Sequence, residues 1–403
     1  MIPCIAAFLV AISPCISLAA ENCRVCHRVK LTGVHRALAC LDCHVSQYAT
    51  VADPAAQVES ASPCVRCHKG LDGVFRYSMA TRAPEKGFVA RSYGRVDSLF
   101  FEKNCNGCHL KSCLDCHEGG GHRIAKPSTE SCLACHNGYF VGWDYTGKAP
   151  REDSLRYQRG KTANGEHYLT MRPDIHFEKG LGCGDCHSMK SLATGKKSSK
   201  HCLECHKISN SPVEHRIKAH LEKLECYACH SAWAPQEYGT FFLRFIESPS
   251  REDFWLKGGE APGEYLRSSY LKKQDEPPLG LNSRGMISPI RPQFIAYYSQ
   301  IRREKVVGME NRLLSAEWKA YFPHTIRRGT LLCDACHDAP ARFLLEASNE
   351  RIYRLAEDGM GIESFLDRRG QRVSNGSFVP EVRVKRALAR GTDFQKGYVE
   401  KWQ

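Results

Sequence analysis

The sequence predicts a mostly irregular and α-helical fold, made of short helices and loops, with little sheet outside the C-terminal part of the chain. Three observations lead to this prediction. The motif Cys-x-x-Cys-His occurs ten times and uses 20 of the 22 cysteines of the 403-residue chain. A histidine recurs five to nine residues upstream of several copies. Residues 231–332 and 338–403 contain no copy, so only the C-terminal part has enough other sequence for a core of its own.

The ten motifs predict ten covalently bound c-type haems. Residues three and four apart share one face of a helical turn, so both sulfurs can form thioethers to one haem while the histidine lies under its iron as proximal ligand. The expected thioether residues are Cys23, Cys26, Cys40, Cys43, Cys64, Cys67, Cys105, Cys108, Cys113, Cys116, Cys132, Cys135, Cys183, Cys186, Cys202, Cys205, Cys226, Cys229, Cys333 and Cys336. The expected proximal ligands are His27, His44, His68, His109, His117, His136, His187, His206, His230 and His337.

Zinc sites and a disulfide framework are the alternatives for so many paired cysteines. Structural zinc uses Cys-x-x-Cys pairs, but it does not require a histidine directly after each pair. Disulfides would not repeat that histidine either. The recurrence of the complete five-residue motif therefore favours haem.

The spacing of the motifs predicts the domain organisation. Residues 1–20 form an expected signal peptide, 21–150 a six-haem module, 151–235 a three-haem module and 236–403 a C-terminal module with one haem. The porphyrin faces are expected to replace much of the usual side-chain core. Within the C-terminal module, the Pro/Gly-rich stretch Gln274–Phe294 is expected to be loop, and Glu310–Tyr321 an amphipathic helix that stops before Pro323.

Eight histidines lie outside the motifs and are candidate distal iron ligands. They are His35, His122, His167, His176, His201, His215, His220 and His324. Ten haems therefore share at most eight distal histidines, so at least two irons need another ligand. The alternatives are methionine, with Met79 and Met171 as candidates, another side chain such as lysine, or an open position for a substrate.

Charge and hydropathy limit which compartment and which partners are expected. The first 20 residues are uncharged and apolar, and Ser17-Leu18-Ala19 resembles a small-x-small cleavage site. The segment therefore resembles a secretory signal, although it lacks basic residues at its start. No later run is apolar enough to cross a bilayer. The formal charge of +13 would fall to about +3 with ten ferric haems of roughly −1 each. The basic residues are therefore expected to serve haem propionates, and nucleic-acid binding is not expected.

Four stretches carry a resemblance to a known group of proteins. They are SCLACHNGYFVGWDYTGKAPREDSLRYQRG, CYACHSAWAPQEYGTFF, PPLGLNSRGMISPIRPQF and FPHTIRRGTLLCDACHD. With the ten motifs, they make the chain similar to the large exported multihaem cytochromes of metal-reducing bacteria, in particular those encoded in selenite/tellurite-reduction-type operons of extracellular electron conduits. The resemblance extends over most of residues 23–403. It implies a soluble or conduit-associated electron carrier. The leading hypothesis on the sequence is electron transfer between a quinol-linked donor cytochrome and an outer-membrane conduit or other multihaem cytochromes.

Two other functions stay open on the sequence. A terminal reductase of an oxyanion, or of a sulfur, selenium or nitrogen species, would use a haem that lacks a distal ligand. The isolated motif at His337, close to Arg327 and Arg328, is the candidate place for such a haem, although propionates are the more ordinary partners of these arginines. A filament-forming or scaffold cytochrome would use the haem-poor C-terminal module for protein contacts.

Overall fold

The computed structural model describes residues 31–43, 63–95, 98–105, 109–117, 123–133, 144–145, 158–163, 166–170, 174–195, 200–210, 212–231, 240–246, 265–267, 277–303, 305–309, 312–345, 352–354, 361–363 and 368–401. Within these ranges, no helix is long and apolar enough to span a membrane. The expected signal peptide lies outside the described residues.

Most of the helices are one or two turns long. The α-helices are α1 (Cys40–Cys43), α2 (Ser78–Thr81), α3 (Ala83–Arg91), α4 (Phe100–Cys105), α5 (Leu114–His117), α6 (Thr129–Leu133), α7 (Ile175–Glu178), α8 (Cys183–Cys186), α9 (Met189–Ala193), α10 (Val213–Arg216), α11 (Lys218–Lys223), α12 (Cys226–His230), α13 (Asp334–His337) and α14 (Glu381–Val399). Short 3-10 turns cover Gly33–His35, Pro63–Arg66, Leu71–Arg76, Tyr93–Arg95, Cys202–Glu204 and Pro340–Phe343.

The strands form three sheets. They are β1 (Asp144–Tyr145), β2 (Gln158–Ala163), β3 (Glu166–Thr170), β4 (Thr240–Ile246), β5 (Tyr265–Arg267), β6 (Leu279–Asn282), β7 (Ile287–Arg302), β8 (Lys305–Val306), β9 (Arg312–Ala320), β10 (Ile352–Arg354), β11 (Gly361–Glu363), β12 (Arg372–Val373) and β13 (Gly376–Ser377). The largest sheet has the order β12-β9-β7-β4-β5, with β6 and β8 also on β7 and β13 on β6. The order β1-β3-β2 makes a second sheet, and β10 with β11 a third.

The chain divides into two compact units, each assembled from separate segments. One contains residues 1–81, 109–131 and 189–197, and the other contains 82–108, 132–188 and 198–403. In the first unit, α9 packs on the turn Leu71–Arg76, where a Cβ on Gly73 would meet the carbonyl oxygen of Ala193 at 2.1 Å. The predicted division into six-haem, three-haem and one-haem modules stays a prediction.

The main sheet of the second unit has a side-chain core on each face. Ile290, Ile295, Tyr297 and Trp318 are fully buried in one cluster. A second cluster joins Ala296 to the buried aromatic residues of α3 and α4 and of the turn between them. This sheet lies in the C-terminal part of the chain, where the sequence allowed for strands.

Two local predictions in this region are wrong. Glu310–Tyr321 was expected to be a helix, but Arg312–Ala320 is strand β9, paired antiparallel with β7. Its successive residues Ala316, Glu317 and Trp318 are all buried, because both faces of the sheet are covered. Pairing with a distant strand therefore outweighs the helical pattern of the segment.

Gln274–Phe294 was expected to be loop, but within it Leu279–Asn282 and the start of β7 form a hairpin. The turn is made by the residues that suggested a loop. Gly285 adopts a φ of 74°, and the Asn282 side chain accepts the amides of Arg284 and Met286. The Gly-containing turn between two apolar runs is a hairpin signal of its own, which the composition of the longer stretch concealed.

Candidate functional site

Each described motif closes a single helical turn. In five copies, the amide of the motif histidine donates to the carbonyl oxygen of the first cysteine four residues earlier. These bonds are His68 to Cys64 at 2.9 Å, His117 to Cys113 at 3.1 Å, His187 to Cys183 at 2.9 Å, His206 to Cys202 at 2.9 Å and His337 to Cys333 at 2.8 Å. The copy at Cys226 forms helix α12. The spacing therefore produces the turn that brings two sulfurs and one imidazole to the same side.

An acidic residue at the third position of four motifs holds the start of this turn. Asp42 accepts the Ala39 amide at 2.7 Å, Asp115 the Ser112 amide at 3.0 Å, Asp185 the Gly182 amide at 2.7 Å and Glu204 the His201 amide at 2.5 Å. This is half of a capping box, in which an acid in the first turn satisfies a free amide before it. These four acidic residues were not among the predicted site residues, although their fixed place in the motif is a signal that could have indicated them.

Five of the eight candidate distal histidines lie against a motif histidine. The ring centroids in these pairs are 5.9–6.4 Å apart. The pairs are His35 with His68 (6.1 Å), His176 with His206 (5.9 Å), His324 with His187 (6.4 Å), His215 with His230 (6.0 Å) and His220 with His337 (6.1 Å).

This separation fits an iron between two imidazoles. Two metal–nitrogen bonds of about 2 Å on opposite sides of an iron, with about 1 Å from each nitrogen to its ring centre, put the centroids about 6 Å apart. Ordinary aromatic pairs also cover this range, from 4.7 Å for Tyr93 and Phe100 to 6.5 Å for Trp318 and Phe378. The recurrence of one motif histidine with one other histidine in all five pairs, more than the separation alone, therefore favours a shared ligand. The motif cysteines beside these pairs include no disulfide among the described residues.

Hydrogen bonds orient several of these imidazoles through Nδ1. His109, His117, His230 and His337 contact the carbonyl oxygens of Ala80, Ala125, Gly329 and Ala387 at 3.0, 2.9, 3.3 and 2.8 Å. Since a carbonyl oxygen can only accept, Nδ1 must carry the proton, which leaves the lone pair of Nε2 available for a metal. The distal candidate His215 is held in the same way by the Ser209 carbonyl at 2.7 Å.

Burial favours the neutral form of three of the paired imidazoles, because it lowers their pKa. Burial lowers the pKa of His187. The pKa of His220 is lowered by burial and then by the neighbouring His337 ring, and that of His230 by burial, with His215 among the smaller causes. A neutral imidazole is the form that ligates iron.

His201 has a different geometry from the paired histidines. Its side chain is exposed, and its Nδ1 accepts the Leu203 amide at 3.4 Å at the start of the turn Cys202–Glu204. An Nδ1 that accepts leaves the proton on Nε2, where an iron ligand would need a lone pair. This geometry favours a capping role for His201 over an axial one.

Several predicted site residues cannot be compared with the structure. Those outside the described residues are Cys23, Cys26, His27, His44, Cys108, His122, Cys135, His136 and Met171. For Cys105 and His167 only the backbone is described, in α4 and in β3. Met79 is partly buried in α2, and its carbonyl oxygen accepts the amide of Leu110, the residue after His109.

Successive motifs of the second unit lie against one another. The thiols of Cys202 and Cys226 hydrogen-bond to each other. Burial raises the pKa of Cys229 to about 11, and the thiol of Cys336 adds to this rise. Cys205 is likewise among the causes that raise the pKa of Cys186, after burial. The four motifs therefore neighbour one another in space in the order Cys183, Cys202, Cys226 and Cys333, as they do in sequence.

The motif at Cys333 is isolated in the sequence but not in the structure. His220 lies across from His337, and Cys229 neighbours Cys336. The Arg327 amide donates to the His230 carbonyl at 2.9 Å, which places this arginine beside the motif at Cys226. The open haem that the sequence suggested at His337 would have to displace the His220 ring.

Within the described part of the chain, no group of three or more His, Cys, Asp or Glu side chains is arranged to hold a metal ion. Comparison of the chain with protein-family models, curated proteins and solved structures finds no match in any of the three.

Proposed function

We propose that this chain is an exported decahaem c-type cytochrome that carries electrons along its haems. The observation that supports this best is the set of five histidine pairs at 5.9–6.4 Å, each of which joins a motif histidine to a histidine outside the motifs. The motifs alone predict where haems attach. The pairs add an independent second ligand at the spacing that an iron needs.

Two histidines per iron favour electron transfer over catalysis. A bound haem supplies a one-electron couple, and its axial ligands decide whether a substrate can reach the iron. Two imidazoles that held the same haem would leave its iron no free position for a substrate. The protein's part is then to hold each imidazole by its Nδ1 hydrogen bond, as Ala387 does for His337, and to set the surroundings of each haem.

The adjacency of the motifs supports a path for electrons. Cys183, Cys202, Cys226 and Cys333 belong to motifs whose thiols neighbour one another in that order. The distal ligands also come from other segments, since His324 serves the motif at His187 and His220 that at His337. Four attachment sites are thereby tied into one assembly.

The compartment and the partners are part of the proposal. The apolar residues 1–20 and the resemblance to cytochromes of metal-reducing bacteria favour export to the periplasm or the outer surface. A quinol-linked cytochrome would then be the electron donor, and an outer-membrane conduit or another multihaem cytochrome the acceptor.

A terminal reductase is the second candidate, favoured by the shortage of distal histidines. Ten motifs face at most eight other histidines, and the capping geometry of His201 would reduce that number further. An iron without a protein ligand on its distal side could bind an oxyanion or a sulfur, selenium or nitrogen species.

The experiment that tests the proposal combines haem counting with electron paramagnetic resonance of the oxidised protein. Alkaline pyridine spectra and the intact mass should give ten haems per chain, and low-spin signals should account for the irons of the five described pairs. A count near zero with bound zinc would overturn the haem assignment. One or two high-spin irons that shift on addition of nitrite, selenite or tetrathionate would favour the reductase.

A further inference from the structure

Arg342 is a buried cation between two of the haem attachment sites. It lies in the 3-10 turn Pro340–Phe343 of the second unit and is 5% exposed. Its Nη2 donates to the Ala228 carbonyl at 2.9 Å, and its Nε donates to the Pro277 carbonyl at 3.1 Å. Its Nη1 donates to the Ala335 carbonyl at 3.2 Å and contacts Cys336 Sγ at 3.0 Å.

These contacts join two consecutive motifs. Ala228 lies inside the motif Cys226–His230, while Ala335 and Cys336 lie inside the motif at Cys333. Cys336 Sγ stands for a thioether sulfur in the haem-loaded protein. The guanidinium therefore reaches the backbone of one attachment site and both the backbone and a sulfur of the next.

The acceptors of Arg342 are neutral, which distinguishes it from other arginines of the same unit. Arg91 and Arg372 both contact the buried carboxylate of Glu317, and Arg284 contacts that of Glu225. The hydrogen bonds given above for Arg342 lead to three carbonyl oxygens and one sulfur. No carboxylate is among the described partners of Arg342, and a buried charge bonded to dipoles keeps more of its field than one paired with a carboxylate.

We infer that Arg342 raises the reduction potentials of the two haems attached at the Cys226 and Cys333 motifs. Reduction of a haem removes one unit of positive charge from the iron centre, so a fixed cation nearby stabilises the reduced state. The contact of the guanidinium with Cys336 Sγ would hold this charge close to the haem attached there. The inference rests on the proposed function, because it requires haems at these two motifs.

A purely structural role is the alternative, in which Arg342 only clamps the two motifs together. The two roles differ in what a charge-conserving substitution does. Arg342→Lys keeps the charge but loses most of the fork of hydrogen bonds, whereas Arg342→Gln and Arg342→Met keep much of the side-chain volume and lose the charge.

The test is a spectroelectrochemical redox titration of the full-length, haem-loaded protein with each variant. Arg342→Gln should shift about two of ten haem equivalents to lower potential, with an at least tenfold change in their reduction equilibrium, or about 59 mV. Arg342→Lys should stay close to the unmodified protein. Arg372→Gln is the matched control, because its charge faces Glu317, and it should leave the titration unchanged.

Several outcomes would overturn the inference. With ten haems retained, an unchanged curve for Arg342→Gln, or a shift to higher potential, would exclude the proposed effect of the charge. So would a downward shift in Arg342→Lys as large as that in Arg342→Gln. Arg342→Met is a second neutral variant, to be titrated if Arg342→Gln loses haem. If both neutral variants lose haem, the Arg342→Lys titration decides, and a clear downward shift of its potentials would overturn the inference. A haem count other than ten in the unmodified protein would contradict the proposed function instead.

Discussion

The imidazole rings of His220 and His337 lie with their centroids 6.1 Å apart and their planes 28° from parallel. His220 is carried by α11, just before the motif at Cys226, whereas His337 ends the motif at Cys333. His220 therefore lies just upstream of the motif at Cys226 in sequence but faces the histidine of the motif at Cys333 in space. The same holds for His176, which precedes Cys183 but faces His206.

Removal of His220 tests this pairing. His220→Ala should open one axial position, so that one low-spin iron of the oxidised protein becomes high-spin in its electron paramagnetic resonance spectrum. His201→Ala is the matched control, because the exposed His201 caps a turn through Nδ1 and should leave the spin states unchanged. High-spin iron in the His201 variant and none in the His220 variant would reverse the assignment.

Gly391 is expected to be required for the position of the His337 ring. A Cβ on Gly391 of α14 would meet Cγ of His337 at 2.6 Å, whereas one on Gly397 of the same helix would meet nothing within 4 Å. Gly391→Ala should therefore displace the imidazole and lower the melting temperature. Gly397→Ala should stabilise the helix by up to about 1 kcal/mol, since alanine has the higher helix propensity. Equal effects of the two substitutions in thermal unfolding would contradict this.

Glu317 is expected to be an important electrostatic contact of the main sheet. Its carboxylate is 3% exposed and accepts from Arg91 at 2.5 Å and from Arg372 at 3.1 Å. Glu317→Gln should lower the free energy of unfolding by about 2 kcal/mol, a moderate loss because both arginines reach solvent and can be hydrated again. Denaturant unfolding measures it, with the exposed Glu381→Gln as a control that should have little effect.

Lys319 should make the stability depend on pH. Burial, and then the neighbouring Arg291, lower the pKa of Lys319 to about 8 against an ordinary value of 10.5, while Glu85 and Glu317 oppose the shift. Between about pH 8 and pH 10.5, Lys319 is protonated in the unfolded chain and has lost its proton in the folded chain. The free energy of unfolding should therefore rise from about pH 8 to 10.5, by up to about 3 kcal/mol.

Lys319→Met removes this titration and keeps the length of the side chain. The difference in unfolding free energy between the variant and the unmodified protein should favour the variant at pH 7 and shrink as the pH rises to 10.5. Chemical unfolding at several pH values measures this difference. A difference that stays constant over that range would exclude a shifted Lys319.

Local patterns were predictable where a single turn decides the structure. The spacing of Cys and His closes the helical turns at Cys64 and Cys183, and the upstream positions of His35 and His324 marked residues that face motif histidines. The predictions were wrong where pairing between distant segments decides the secondary structure. Arg312–Ala320 has a helical pattern, but β7 offers it backbone hydrogen bonds along its whole length.

The sequence by itself determined the number and positions of the expected haem sites and the shortage of distal histidines, because both follow from composition and from contacts within one turn. Only the tertiary structure decided which histidine faces which motif, that the motif at Cys333 neighbours the one at Cys226, and that Arg342 lies between them. These relationships join segments separated by the haem-free residues 231–332. They depend on how the residues between these segments fold into the main sheet, and the spacing of residues within one turn does not predict that.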